Sequence, residues 1–210
     1  MDKNRQIQIF NKRAQKLLQK DFCTRKIFAY KQRQRLLKTV SGKTLEVAVG
    51  TGANFRFYST DIELTAVDFS SVLTGIARKN AAMYNINTSF IESDVEALDF
   101  PMNTFDTIVS ALSLCSYQDP VKVLNKFNRW CRPDGNILLF EHGLASGKIT
   151  GFFLNPLLNI FNNLSLKYMG DNINVDIKKI TEISEIEITH IETFLLTTHY
   201  LIWAKPRKTA

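Results

Sequence analysis

The fold is decided by Thr44-Leu-Glu-Val-Ala-Val-Gly-Thr-Gly-Ala-Asn54, an apolar run rich in β-branched residues that breaks into a glycine-bearing turn. A short run of this kind reads as a buried strand, and the glycines behind it mark a sharp reversal into the next element. Gly50 and Gly52 lack a Cβ, so the backbone there can turn tightly and approach a ligand to van der Waals contact. On either side of this stretch, short apolar runs alternate with helical spacing. The expected strands are 44–49, 62–68, 88–94, 105–111 and 136–141, with two more at 186–193 and 197–204. Such alternation predicts parallel βαβ units. The last two strands are joined by only Phe194–Leu196, whereas a parallel pair needs a crossover of a dozen or more residues, so they form a hairpin. The predicted fold is α/β: a doubly wound, seven-stranded, mostly parallel sheet with one reversed strand.

The helices between the strands carry their own punctuation. Ser70 or Ser71 can cap a helix bearing Val72, Leu73, Ile76 and Met83, and Asp119-Pro120 supplies an N-cap and first-turn proline for another. The latter presents Val123, Leu124, Phe127, Trp130 and Cys131 on one side. Arg132-Pro133-Asp134-Gly135 should end it in a turn before the fifth strand.

A chain of 210 residues, 45% of them hydrophobic, is consistent with one domain and one sizeable core. Cys23, Cys115 and Cys131 are too few and too scattered for a disulfide framework, which fits a reducing cytoplasm. The charged N-terminus does not read as a signal peptide, and no uninterrupted apolar run is long enough to span a bilayer, so a cytoplasmic protein, at most peripheral to a membrane, is expected. The net charge of +7 is unevenly spread. Residues 1–38 hold twelve of the 27 Lys and Arg and two of the 20 acids, so this segment carries +10 and the remainder −3. Ile7, Ile9, Phe10, Leu17, Leu18, Phe22, Ile27 and Phe28 interleave with the cations, as in amphipathic helices with a cationic face. The organisation expected is a basic helical segment, 1–40, covering the cofactor and acceptor side, and a domain at 41–210 with an apolar insertion at about 149–170.

Acids complete the glycine turn. Glu46 lies within the first strand, Asp68 ends the second, where a nucleotide-like ligand's ribose hydroxyls are usually bound, and Asp94 ends the third, in reach of an adenine amino group. A dinucleotide-dependent oxidoreductase shares this layout, but the third glycine of its fingerprint would fall at residue 55, which is Phe55.

These residues resemble the class I S-adenosylmethionine-dependent methyltransferases from about residue 40 to the end of the chain. The family's acid and alternating glycines read here as Glu46-x-Ala48-x-Gly50-x-Gly52. Ala48 replaces the first glycine, on the expectation that this position is extended. The resemblance implies S-adenosylmethionine as cofactor. Glu46 would orient its amino-acid portion, Asp68 would bind the ribose, Phe69 would pack on the adenine, and Asp94 with Val95 would hold the adenine edge. Asn54, at the end of the loop, and Ala111, at the end of the fourth strand, complete the expected cofactor set.

The acceptor side follows the fourth strand at Ser110-Ala-Leu-Ser-Leu-Cys-Ser116. Base-amine methyltransferases carry an Asp/Asn-Pro-Pro-aromatic motif here and this chain does not, which points away from nucleic acid despite the basic N-terminus. Together with Glu46–Tyr58 and Phe140-Glu141-His142, the segment resembles membrane-associated thiol methyltransferases of animals, and bacterial quinone and phospholipid methyltransferases. The acceptor pocket is expected at Ser113, Cys115 and Ser116, with His142 as the candidate acid–base group because imidazole titrates near neutral pH. The apolar insertion, residues 151–166, should form its lid, suiting a small or lipid-like acceptor, and the basic N-terminus should contact any membrane peripherally. Three histidines without ligand spacing predict no metal site. A subunit that binds the cofactor without turnover is the reading of a different class.

Overall fold

A computed structural model describes residues 2–18 and 29–207. Phe22, Cys23, Ile27 and Phe28 lie outside the described residues. The elements in order are α1 (Lys3–Leu18), α2 (Tyr30–Leu37), β1 (Lys43–Val47), β2 (Glu63–Asp68), α3 (Ser71–Met83), β3 (Thr88–Glu92), β4 (Phe105–Ala111), α4 (Pro120–Trp130), β5 (Cys131–His142), α5 (Lys148–Tyr168), α6 (Ile177–Ile183), β6 (Ile186–Phe194) and β7 (His199–Pro206).

The seven strands form one sheet in the order β3-β2-β1-β4-β5-β7-β6. Strands β1 to β5 pair in parallel, and β7 runs antiparallel to both β5 and β6. The order reverses between β1 and β4, which places the ligand-binding crevice of a doubly wound sheet at their carboxyl ends.

Side chains of a strand alternate between faces, and β1 shows what that does here. Leu45 and Val47 enter one core with Phe127, Trp130 and Ile177 of α4 and α6. Glu46 points the other way, toward the core built with Leu36 and Leu37 of α2 and Ala77 of α3. A carboxylate thereby enters a buried layer at the crevice.

The capping signals act as read. Ser70 Oγ accepts from the Leu73 amide at 3.1 Å, and Asp119 accepts from that of Lys122 at 2.9 Å, with Pro120 in the first turn of α4. Two local expectations change. Residues 132–135 are not a separate turn but a bulged start of β5, which pairs from Cys131 with Phe105 and resumes at Asn136 with Thr107. The hairpin loop is 195–198, and Leu195, Leu196 and Thr197 all adopt positive φ.

Candidate cofactor site

A cleft of about 310 Å³ opens at the crossover between β1 and β4. It is lined by Glu46, Ala48, Gly50, Asn54, Asp68, Phe69, Asp94, Val95 and Ala111, so nine of the ten residues expected to hold the cofactor meet in its lining. Gly52 is not on the surface. Its positive φ of +76° turns the loop, and a Cβ there would meet the ring of fully buried Phe55 at 2.6 Å. Position 55 is therefore a core anchor for the turn, unlike the third glycine of a dinucleotide fingerprint. Gly50 differs. A Cβ built on it meets nothing nearer than the Ala48 carbonyl oxygen at 4.0 Å, so glycine here keeps the cleft wall bare.

Glu46 is 2% exposed, and its two oxygens are divided between Asn54 Nδ2 at 2.8 Å and Tyr58 Oη at 2.7 Å, both donating to it. Arg33 of α2 donates to Asn54 Oδ1 and stacks 4.7 Å from the Phe140 ring centre. Burial pushes the Glu46 carboxyl up to about 7, against the opposing hydrogen bonds and the nearby guanidinium. Asp68 accepts from the amides of Gly50 (2.8 Å) and Ser70 (2.9 Å), which fixes both oxygens while leaving each one a further lone pair. Its carboxyl is also raised by burial.

Helix α1 lies across this cleft. Lys3, Phe10, Arg13 and Ala14 line it, Lys3 Nζ sits 2.9 Å from Asp94, and Phe10 meets Phe69 edge to face at 5.7 Å. Buried Gln6 pins the helix by donating to the carbonyls of Ser116 (3.0 Å) and Gly170 (2.9 Å). Part of the basic segment thus faces inward. Arg33 and Tyr58, the supports of Glu46, escaped the sequence reading. An arginine in a cationic run looks solvated, and only the fold shows it reaching the carboxylate's layer.

Ala48 is not extended. The strand ends at Val47, and Ala48 has φ +49°, in the left-handed region where the family's glycine would be unstrained. Leu112, also on the cleft, has φ +57°.

The acceptor expectations separate. Ser113 and Ser116 border the cleft with Tyr117 and Leu112, but Cys115 and His142 do not, and no residue of α5 lines it. Cys115 is 1% exposed, its thiol driven well up by burial and by the nearby Glu141 and Asp171. His142 faces His199 across the β5–β7 ladder, ring centres 5.9 Å apart, and burial lowers its basicity. Ligand atoms of Cys115, His142 and Asp171 gather within 4.8 Å of one another, a group outside the cleft lining that the sequence spacing did not show. In place of His142, the cleft backs onto fully buried Glu141. This carboxylate accepts from Ser110 Oγ at 2.6 Å and from the Ser113 and Leu114 amides, and Ser110 Oγ lies 2.6 Å from Ser113 Oγ. Burial pushes Glu141 up to about 7.

Residues 44–135 match the family described as a methyltransferase domain. Among curated relatives, the mitochondrial methyltransferase OMS1 of Saccharomyces cerevisiae is 31% identical over 86% of this chain and 42% of its own length. A phosphatidylethanolamine N-methyltransferase of Cereibacter sphaeroides is 32% identical over 48% of this chain and 51% of its own, and the mouse thiol S-methyltransferase TMT1B is 36% identical over 50% and 46%. The chain thus spans about half or less of each of these relatives. The crystal structure of the Bacillus subtilis YcgJ protein superposes with a TM-score of 0.66 at 15% identity, covering 86% of this chain and 100% of that one, which shows the shared fold. With the acid and glycine pattern folded around one cleft, the chain belongs to the class I S-adenosylmethionine-dependent methyltransferases, whose cofactor is S-adenosylmethionine.

Proposed function

We propose that the protein transfers the methyl group of S-adenosylmethionine to a small or lipid-like acceptor: a thiol, a quinol or a phospholipid amine. The observation that carries this reading is the convergence of Glu46, Gly50, Asp68 and Asp94 on one cleft, which Leu112, Ser113 and Ser116 of the expected acceptor side also line. The donor set suits the cofactor. Glu46 would face its ammonium, Asp68 its ribose hydroxyls, and Asp94 with Val95 its adenine edge. Bound there, the sulfonium supplies an electrophilic methyl carbon. The protein's part is alignment and exclusion of water, worth several kcal/mol in a displacement of this type. Phe10 and Ala14 of α1 add apolar lining to the cleft. The names of the relatives favour acceptors of these three kinds, and the inward-facing Lys3, Arg13 and Arg33 leave the basic segment less free for nucleic acid.

An acceptor that must lose a proton has a route out through Ser113. Its hydroxyl takes the acceptor's proton while passing its own to Ser110 Oγ, and Ser110 passes its own to Glu141. A carboxylate near pKa 7 is well matched to receive it.

Two experiments test the reading. Calorimetry should show S-adenosylmethionine and its demethylated product binding to wild type, with at least tenfold weaker binding to Asp68→Ala. Equal affinity would sink the assignment. Turnover should then be followed with an alkyl thiol, a quinol and phosphatidylethanolamine in parallel. Glu141→Gln, whose amide oxygen can accept from Ser113 and Leu114 while its Nε2 donates to Ser110 Oγ, should bind cofactor normally but lose the rise in kcat between pH 6 and 8 on an acceptor that must be deprotonated, and His142→Ala should retain it. The reverse pattern would return the proton acceptor to His142.

A further inference from the structure

Helix α5, between β5 and β6, is sided the wrong way for a core helix. None of its 21 residues is buried, and Ile149, Phe152, Phe153, Ile160, Phe161 and Leu164 are between 53% and 76% exposed. At 3.6 residues per turn, these positions cover roughly half the helix circumference. The half-buried side mixes Leu154, Leu158 and Leu166 with polar anchors. Asn155 pairs with both the amide and the carbonyl of Ala145, and Asn162 accepts from the Ile173 amide while donating to Asn172. Asparagines that read in the sequence as interruptions are the anchors that hold the apolar face outward.

The apolar surface continues at the hairpin tip. Leu195 and Leu196 are 51% and 66% exposed, and the tip is tied to the start of α5 by Thr197, whose Oγ1 accepts from the Gly147 amide and pairs with Thr150 Oγ1 at 2.7 Å. At the far end, Arg13 of α1 donates to the Met169 carbonyl at 2.6 Å, bringing the basic helix with exposed Arg5 and Lys12 alongside. Residues 148–168 contain Lys148 and Lys167 and no acid. The surface is an apolar strip with aromatic members and a cationic border.

We propose that α5 and the Leu195–Leu196 tip dock the protein on an anionic phospholipid bilayer, the helix lying in the plane of the interface. An amphipathic helix binds there through apolar burial combined with attraction of its cations to anionic headgroups. A second copy of the chain would fit less well, because it would bring cationic borders together. No helix among the described residues is long and apolar enough to cross a membrane, so docking rather than spanning is the mode. The proposal goes beyond the methyl-transfer reading and holds for a soluble acceptor as well as a lipid.

Flotation of the full chain with phosphatidylcholine vesicles, with and without phosphatidylglycerol, tests it. Wild type should float with the anionic vesicles. Phe152→Glu combined with Phe161→Glu should lower the partition about tenfold or more, with circular dichroism and cofactor binding unchanged. Because both side chains face outward, the fold does not depend on them; Leu195→Ser with Leu196→Ser at the tip is a second variant expected to weaken flotation. Failure of wild type to float, or equal flotation of wild type and both variants, overturns the proposal. So does a wild-type dimer in sedimentation that the glutamates dissociate while vesicles are ignored, which would assign the face to a second copy.

Discussion

Ala48 holds a backbone conformation that its own side chain resists. A left-handed φ costs a residue with a Cβ about 1–2 kcal/mol, and here it is imposed by a chain that must leave β1 after Val47 yet return Val49 to the sheet edge, where its amide donates to the Val67 carbonyl at 3.0 Å. Glycine would remove the strain, at some cost in unfolded-chain entropy. Ala48→Gly should therefore raise stability by about 1 kcal/mol and the melting temperature by about 2–4 °C, without loss of cofactor affinity, measured by thermal denaturation and calorimetry. An unchanged or lower melting temperature would mean that the loop is held elsewhere. An alanine flanked by valines reads in the sequence as strand, because its left-handed turn is set by the tertiary path and not by its neighbours.

At the scale of elements, α1 closes the cleft and Gln6 fastens it. Replacing Gln6 by Ala leaves the Ser116 and Gly170 carbonyls without this donor, a loss on the order of 1–3 kcal/mol that falls on the strap rather than on the sheet. Gln6→Ala should speed amide hydrogen exchange across residues 3–18 and weaken cofactor binding several-fold, leaving exchange in β1 and β4 as it was. Uniform acceleration throughout the sheet would show instead that α1 is part of the global folding unit. The central strands and the caps of α3 and α4 were legible because their signals are local: β-branched runs, Ser70, Asp119 and Pro120. The orientation of α5 was not. A helix rich in Phe, Leu and Ile reads as a lid or a packed layer, and the inversion depends on Asn155 and Asn162 finding loop partners at 145 and 173 that periodicity cannot see. His142 lies off the cleft for a related reason. Its place at the end of β5 was right, but strand alternation turns it toward His199 and gives the cleft side to Glu141.

For the molecule as a whole, two carboxylates buried beside one cleft couple stability to pH. Glu46 and Glu141 each have a folded pKa of about 7, above the ordinary 4.5, so the folded state holds protons that the unfolded chain has already released. Stability contributed in this way is present at lower pH and is lost as pH rises through 7. His142 and His199 act in the opposite sense. Burial lowers both, His199 to about 4, so the unfolded chain binds more protons and stability rises with pH until the unfolded histidines are neutral, near 6.5. Between pH 6.5 and 8 the carboxylates therefore dominate, and together they should cost about 1–2 kcal/mol over that interval. Urea unfolding at the two ends of this window should give a lower midpoint at pH 8, and Glu141→Gln, whose oxygen accepts from Ser113 and Leu114 and whose Nε2 donates to Ser110 without an ionising proton, should remove about half of the fall. A wild type equally stable at both pH values would mean that neither carboxyl keeps its proton in the folded protein. Glu141 would then be an ordinary carboxylate, ill-matched to take a proton at neutral pH, and the relay through Ser113 and Ser110 would lose its terminus.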